Sequence, residues 1–275
     1  MLRQLWLKNL FICVGLDSAF EKIPQCLKDS VEATLGYVSV EEIMFQFNKN
    51  IIKATADLVC AFKLNIAFYE AQGNEGMAAL IRTIAYIKEY APEVPIILDA
   101  KRADIGNTND GYVKSAFDII GADAITVNPF FGKEAMEPFL KMKNKGIIIL
   151  CRTSNSGSGE FQDLEVNGEP LYQVVARRVV ESWNDNSNCA VVVGATQPEE
   201  LEQVRMIVGD MPILIPGVGA QGADVKKTVN AGGREVIIHS ARKIIFASDG
   251  PDYAEEARTE TVKLGNLILI CMAND

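Results

Sequence analysis

The chain alternates between short, almost continuously apolar runs and longer segments in which apolar residues recur every three or four positions. Runs of the first kind are typical of parallel strands buried on both faces, because such strands leave no face for polar residues. Eight such runs can be placed along the chain, at 11–16, 58–64, 95–99, 124–127, 147–150, 190–193, 212–215 and 235–239.

The segments between these runs have helical spacing. In 76–90 the apolar positions fall on one helical face, at Met77, Leu80, Ile81, Ile84 and Ile87. The same period recurs in 171–183, and 198–208 begins with proline and two glutamates, which is typical of a helix start. The last segment, 253–272, is predicted to be the helix that completes the ring.

Strands that alternate with helices predict βα units with right-handed crossovers. Eight units match a closed (β/α)8 TIM barrel better than an open doubly wound sheet, which stays the alternative fold. No repeat or linker marks a boundary, so we expect one TIM-barrel domain over residues 1–275. Two long connections, 18–39 and 155–169, follow the first and fifth predicted strands, where loops of barrel enzymes usually carry function.

Composition restricts the partners that the protein can have. A formal net charge of −9 argues against nucleic acid but not against a small phosphorylated substrate. The six cysteines contain no C-x-x-C pair and the only histidine is His239, so we expect free thiols and no metal site. We find no cleavable signal pattern and no apolar run near the roughly 18 residues of a membrane span. We therefore expect a cytoplasmic protein that binds no membrane.

Charged side chains follow the second and third predicted strands, at the barrel end where reactive groups usually lie. Asp99 and Lys101 are two apart, so on an extended chain both should face the same way, within reach of Lys63. Neighbouring carboxylates favour the protonated form of Lys101. A rigidly held ammonium is a general acid and stabilises a developing carbanion. An ordinary salt-bridge network at the barrel mouth is the alternative interpretation.

A phosphate site is predicted after the seventh and eighth strands, the place where such barrels frequently bind phosphate. The sequence PGVGAQG occupies 216–222, and Arg242 follows the eighth strand. Glycines let main-chain amides approach phosphate oxygens, and an arginine can bind them in a bidentate manner. A glycine-rich turn alone could be a plain turn, but the arginine at the next strand end favours a phosphate site.

The sequence DAKRADIGNT at 99–108 resembles the signature of the orotidine 5′-phosphate decarboxylase family. Five further blocks resemble the same family in matching order: CVGLD at 13–17, FKLN at 62–65, RTSNSGS at 152–158, PGVGAQG at 216–222 and SAR at 240–242. The similarity covers most of the chain and is greatest to the bacterial subgroup with longer chains. It implies decarboxylation of orotidine 5′-monophosphate to UMP, the last step of de novo pyrimidine nucleotide biosynthesis, by a homodimer without a cofactor.

The resemblance also implies a role for each residue around the reacting carbon. Asp17 would hydrogen-bond the ribose hydroxyls, and Lys63 would contact the ribose and orient Asp99. Asp99, Lys101 and Asp104 of the partner subunit would surround the reacting carbon, with Lys101 as the proton donor.

The remaining substrate contacts are implied in the same way. Ile105 of the partner subunit would pack on the pyrimidine, and Thr108 of the partner subunit would contact the ribose. Ser154 would bind the pyrimidine edge under a closing loop, and Gln221 and Arg242 would hold the phosphate.

Three positions depart from the family pattern. Ala103 stands where glycine is common and Ser156 where proline is common, so we expect a small change in loop stiffness. His239 stands where asparagine is common, and we interpret it as a structural residue at a strand end. Two other functions fit part of the pattern: a sugar-phosphate barrel enzyme that needs Mg²⁺, and a non-catalytic phosphate-binding barrel.

Overall fold

The computed structural model describes residues 1–218 and 224–273. Its centre is a closed barrel of eight parallel strands, in which each strand pairs with its neighbours in the chain and the last pairs with the first. We number them β1 Ile12–Gly15, β2 Ala61–Asn65, β3 Ile96–Arg102, β4 Ala124–Val127, β5 Gly146–Arg152, β6 Cys189–Val193, β7 Ile213–Pro216 and β8 Val236–Ser240. The closed ring confirms the predicted (β/α)8 TIM barrel and excludes the open sheet.

Helices surround the barrel and connect its strands. They are α1 Leu2–Trp6, α2 Gln25–Leu35, α3 Val40–Thr55, α4 Ile66–Glu70, α5 Gly73–Tyr90, α6 Gly106–Val113, α7 Gly132–Leu140, α8 Gly159–Gln162, α9 Leu171–Arg178, α10 Pro198–Val208, α11 Val225–Gly232, α12 Arg242–Ile245 and α13 Tyr253–Ala273. The π-helical turns Lys114–Ile119 and Val179–Trp183 extend α6 and α9. Short 3-10 turns occur at Phe20–Lys22, Ala56–Leu58 and Pro129–Phe131. Within the described ranges, none of these helices is long and apolar enough to cross a membrane.

All eight predicted strands overlap observed ones, with two informative differences at their ends. The run predicted at 58–64 begins as a strand only at Ala61, because Ala56–Leu58 forms a 3-10 turn. The run predicted at 95–99 continues through Arg102, with a register shift against β4 between Leu98 and Arg102. That shift lies in the segment that carries the charged residues of the site.

The two long connections contain structure of their own. The connection at 18–39 holds a 3-10 turn and α2. The connection at 155–169 holds α8 and the first part of a small antiparallel hairpin formed by Glu165–Val166 and Glu169–Pro170. Both follow C-terminal ends of barrel strands, so both border the end of the barrel where the site lies.

Apolar side chains fill most of the barrel and the space between the barrel and its helices. The strands β1 and β6 are buried along their whole length. Polar side chains interrupt the core at the C-terminal ends of the strands, where Lys63, Asp99, Thr126 and His239 are all buried. A buried polar group is costly unless it is paired, so these residues mark the site.

Candidate active site

A charged cluster lies at the C-terminal ends of β1, β2 and β3. The Nζ of Lys63 lies 2.9 Å from Oδ2 of Asp99 and 3.4 Å from Oδ1 of Asp17. The Lys63 side chain is only 3% exposed, so its ammonium exchanges water for these two carboxylates. The contact between Lys63 and Asp99 is the one that the sequence predicts.

Lys101 joins the cluster from a distorted part of β3. Its Nζ lies 2.7 Å from Oδ1 of Asp99, and Thr126 Oγ1 donates to the same oxygen over 2.8 Å. The main-chain N–H of Lys101 donates to Thr126 Oγ1 over 2.9 Å, and its φ is 46°. The expectation of a regular extended chain at Lys101 is wrong, because the residue lies where β3 shifts register and adopts the left-handed region. Such a conformation in a non-glycine residue costs on the order of 1–3 kcal/mol and is often found at functional sites.

The cluster fixes the charge of its two buried members. Burial alone would raise the pKa of Asp99, but Lys63 and Lys101 outweigh burial and hold that pKa well below its usual range. Burial alone would lower the pKa of Lys63, but Asp17 and Asp99 outweigh burial and raise it above its usual range. At neutral pH, therefore, Asp99 is ionised and Lys63 is protonated.

A buried hydrogen-bond network fixes the main chain next to Asp17. The hydroxyl of Tyr69 donates to the carbonyl of Leu16 over 2.8 Å and accepts from Asn48 over 3.0 Å. The hydroxyl of Ser18 donates to Asn48 Oδ1 over 2.5 Å. Because the residues on both sides of Asp17 are held by α3 and α4, the Asp17 carboxylate has a defined position facing Lys63.

A cavity of about 170 Å³ opens above the cluster. Five predicted site residues from five strand ends line it: Asp17, Lys63, Asp99, Ser154 and Arg242. Arg242 begins α12 and is exposed, and the described part of the chain offers its guanidinium no ion-pair partner. The cavity thus combines a paired charge array on one side with a free cation on the other, which suits an anionic ligand.

The structure places the remaining predicted residues elsewhere. Asp104, Ile105 and Thr108 lie at the start of α6 and do not line the cavity of their own chain. Asp104 Oδ1 accepts a hydrogen bond from the N–H of Ile105 over 2.7 Å, and the side chain of Ile105 is 61% exposed. Gln221 lies outside the described residues.

Two residues that support the site, Thr126 and Arg152, were not predicted as site residues from the sequence. Thr126 bridges Asp99 and Lys101, and its polar side chain within the apolar run at 124–127 was the available signal. Arg152 is buried at the end of β5 and contacts the loop that follows. Its partners lie up to eleven positions further along an irregular segment, so no periodic pattern indicates them.

His239 lies at the end of β8, as expected, but its imidazole also borders the cavity. Neither ring nitrogen has a hydrogen-bond partner within 1–218 and 224–273. Burial, and then the nearby Lys63 cation, lowers the pKa of His239 well below its usual range. The ring fills the space beside Gly15, where a Cβ would lie 2.4 Å from Nε2.

Candidate metal ligands are sparse around the cavity. The carboxylates that line it, Asp17 and Asp99, are both paired with Lys63. In the described parts of the chain, no three histidine, cysteine, aspartate or glutamate side chains are grouped so that they could hold a metal ion.

Comparison with known proteins identifies relatives over the whole barrel. The model of the orotidine 5′-phosphate decarboxylase / HUMPS family matches residues 11–257. An orotidine 5′-phosphate decarboxylase of Cellvibrio japonicus is 46% identical over 99% of this chain and 98% of its own length. One from Ralstonia nicotianae is 48% identical over 91% of this chain and 89% of its own. The solved structure of Leishmania donovani OMP decarboxylase superposes with a TM-score of 0.79 at 33% identity, covering 96% of this chain and 97% of that one.

Proposed function

The chain belongs to the orotidine 5′-phosphate decarboxylase / HUMPS family and decarboxylates orotidine 5′-monophosphate to UMP, and we propose that Lys101 donates the proton without help from a cofactor. This is a carboxy-lyase reaction of pyrimidine nucleotide biosynthesis. The observation that carries the proposal is the array of Lys63, Asp99 and Lys101, of which Lys63 and Asp99 line the cavity together with Arg242, a cation without an ion-pair partner among residues 1–218 and 224–273.

The chemistry requires a cation and a proton at one ring carbon. When the bond to the carboxylate breaks, CO₂ leaves and the electron pair stays on that carbon, which has no adjacent electron sink. The Lys101 ammonium stabilises this charge and then transfers a proton to the carbon, after which water reprotonates the amine. Each tenfold gain in rate needs about 1.4 kcal/mol of stabilisation that is specific to the transition state.

Exposure distinguishes the two lysines. The Lys101 side chain is 48% exposed, whereas Lys63 is almost fully enclosed by Asp17 and Asp99. Lys63 lines the cavity and Lys101 does not, but the more exposed ammonium, to which we assign the proton transfer, is that of Lys101, which is ion-paired with the cavity residue Asp99. Lys63 and Asp99 position it, because Asp99 accepts from both lysines and from Thr126.

The proposed substrate contacts follow the order of the strands around the cavity. Asp17 binds the ribose hydroxyls beside Lys63, and Ser154 binds the pyrimidine edge. Arg242 binds the phosphate together with Gln221. The unpaired state of Arg242 in the described structure supports this role, because an anion would gain a charge-assisted hydrogen bond there without breaking an existing ion pair.

We further propose a homodimer in which Asp104, Ile105 and Thr108 of the partner subunit complete the cavity. Ile105 and Phe130 are exposed apolar side chains at this end of the barrel. Ile105 directly precedes α6 and Phe130 lies in the 3-10 turn before α7. Asn109 Nδ2 of α6 donates to the carbonyls of Asp104 and of Ala135 in α7, each over 2.6 Å, so the two regions are held together. Exposed apolar side chains in such a fixed region support contact with a second copy.

Mixing two inactive variants tests the shared site. Lys101→Ala and Asp104→Asn should each be inactive as pure dimers. After subunit exchange, half of the dimers are mixed and each contains one intact site, so activity should recover to about a quarter of the wild-type value. Pure Lys101→Ala carried through the same exchange is the control. No recovery, with exchange verified by mass, would show that Asp104 acts within its own chain.

The decisive activity test uses purified protein, orotidine 5′-monophosphate and EDTA, with the pyrimidine absorbance followed during conversion to UMP. Rapid loss of the substrate signal is expected, because the proposed mechanism needs no metal. Turnover that disappears with EDTA and returns with Mg²⁺ would refute the cofactor-free mechanism. Absence of turnover with either addition would refute the reaction and leave a sugar phosphate as the next substrate to try.

A cytoplasmic location and a single domain over residues 1–275 stay predictions. The six cysteines are all free thiols, and five of them are buried, which supports a reducing compartment.

A further inference from the structure

The loop after β5 contains Ser154, and the buried side chain of Arg152 holds it from beneath. Arg152 is 4% exposed, and it forms an ion pair with Asp163. Its Nη2 donates to Oδ2 over 3.0 Å, and Nε lies 2.9 Å from Oδ1 without an aligned hydrogen bond. Its other terminal nitrogen, Nη1, donates to the hydroxyl of Ser158 and to Gln162 Oε1. One guanidinium thus contacts the far end of the loop at three residues.

Further hydrogen bonds fix the residues on both sides of Ser154. The N–H of Thr153 donates to Gln162 Oε1 over 2.8 Å, and Gln162 Nε2 donates to Thr153 Oγ1 over 3.0 Å. The Ser158 hydroxyl donates to the carbonyl of Asn155 over 2.7 Å. The hydroxyl of Ser154 has no partner in the part of the chain that the structure describes, and the residue lines the cavity.

Two glycines make this arrangement sterically possible. A Cβ on Gly159 would lie 2.4 Å from Oδ2 of Asp163, so only glycine leaves that carboxylate in its place against Arg152. A Cβ on Gly194 would lie between 2.6 and 2.8 Å from three atoms of Ser154. Ser154 is therefore packed directly on the main chain that follows β6, while the ion pair holds the rest of its loop.

We propose that Arg152 and Asp163 form a clamp that holds Ser154 at the cavity before the ligand binds, and that this clamp sets affinity for the pyrimidine base rather than for the ribose phosphate. The proposal rests on the proposed function, in which Ser154 contacts the base. A loop that is already ordered loses less conformational entropy on binding, so the base gains affinity from the clamp. Lys63 lies in β2 and Arg242 begins α12, so neither belongs to this loop.

One single variant and two matched pairs separate the clamp from the general integrity of the fold. Asp163→Asn removes the charge from the exposed partner and keeps its shape. Gly159→Ala displaces the Asp163 carboxylate, and Gly157→Ala in the same loop is its matched control, because the nearest atom to that Cβ is 3.9 Å away. Arg152→Met removes the guanidinium, and Arg152→Lys restores one positive charge but not the several donors of the planar guanidinium.

The measurement is calorimetric titration of each folded variant with UMP and, separately, with ribose 5-phosphate. We expect Asp163→Asn and Gly159→Ala to raise the Kd of UMP about tenfold, equivalent to about 1.4 kcal/mol. The Kd of ribose 5-phosphate should stay within about twofold of wild type, because this ligand has no base for Ser154 to contact. Gly157→Ala should leave both values unchanged, and Arg152→Lys should bind UMP better than Arg152→Met does.

Equal losses for both ligands in variants with wild-type circular dichroism would overturn the proposal, because the clamp would then be a general scaffold. Unchanged UMP affinity in Asp163→Asn and Gly159→Ala would overturn it as well. Failure of the proposed function gives a different result: wild-type protein would then neither turn over orotidine 5′-monophosphate nor bind UMP, and both conclusions would fail before any variant is compared.

Discussion

His239 makes the stability of this protein depend on pH in a range where no other side chain is expected to titrate. It is the only histidine in the chain and is 6% exposed in β8. Burial, reinforced by Lys63 and Lys101 and opposed by Asp99, keeps the pKa of His239 well below its usual range in the folded protein. The unfolded chain instead binds a proton near pH 6.5. The folded state therefore has its full stability above that pH and loses stability as the pH falls.

The size of the effect follows from one proton. Between pH 7.5 and 5.5 His239 binds nearly one proton in the unfolded state and none in the folded state. The free energy of unfolding should therefore fall by about 1.4 kcal/mol. Asp99 does not interfere in this window. Its pKa is lowered in the folded protein, so its contribution is complete above about pH 4 and is lost only below it.

Urea unfolding at pH 5.5, 6.5 and 7.5 measures this dependence, with the fluorescence of the buried Trp6 and Trp183 as the signal. Protein concentration and ionic strength are kept constant, because the proposed dimer would unfold in a concentration-dependent manner. His239→Asn is the comparison: its absolute stability can differ, but its dependence on pH in this window should vanish. An equal slope in wild type and His239→Asn, or no slope in wild type, would refute the assignment of this proton to His239.

Three further substitutions probe the site. Lys101→Ala should lower kcat by at least about a thousandfold, within the range of general-acid effects, while UMP still binds in a titration; near-normal kcat would eliminate Lys101 as the proton donor. Arg242→Ala should lower kcat/KM by about tenfold or more in steady-state assays, and an unchanged value would remove Arg242 from the phosphate site. Gly15→Ala places a Cβ 2.4 Å from His239 Nε2 and 2.6 Å from the Cβ of Ala241. The free energy of unfolding measured in urea should therefore fall by about 1–3 kcal/mol. An unchanged value would show that the imidazole ring has room to move.

The barrel could be predicted from the sequence because its strands are buried on both faces. A continuous apolar run is the direct result of that burial, and all eight runs fall on strands. The residues at which the strands begin and end were harder to predict, for a physical reason. Leu58, Val59 and Cys60 are apolar whether they form a turn or a strand, so hydrophobicity alone does not separate the 3-10 turn Ala56–Leu58, none of whose residues is fully buried, from β2.

Contacts in the site could be predicted where they follow from the positions of residues along neighbouring strands. They could not be predicted where they depend on an irregular main-chain conformation. Lys63 and Asp99 lie two residues apart in register toward the C-terminal ends of neighbouring strands, so their contact could be inferred from strand position. The left-handed conformation of Lys101 could not, because lysine has no preference for it and tertiary contacts with Thr126 support it. The Arg152 clamp was equally hidden, since its partners lie in a loop without a regular period. The substrate roles came from the resemblance and not from spacing.

Asp99 contacts both lysines of the array, and these contacts determine what happens to the array when one lysine loses a proton. One of its carboxylate oxygens accepts from Lys63, and the other accepts from Lys101 and Thr126. A carboxylate with three donors is a weak base, so Asp99 is suited to hold cations at a fixed separation rather than to remove protons. In the proposed mechanism Asp99 keeps its ion pair with Lys63 and its hydrogen bond from Thr126 when Lys101 gives up its proton, and Lys63 is then the cation that faces Asp99 and Asp17. Proton transfer therefore leaves no isolated buried carboxylate, whose uncompensated charge would cost several kcal/mol. The same contacts give the two lysines different roles: Lys63 is the enclosed lysine that holds Asp17 and Asp99 together, whereas the proposed loss of a proton from the more exposed Lys101 leaves both of those ion pairs in place.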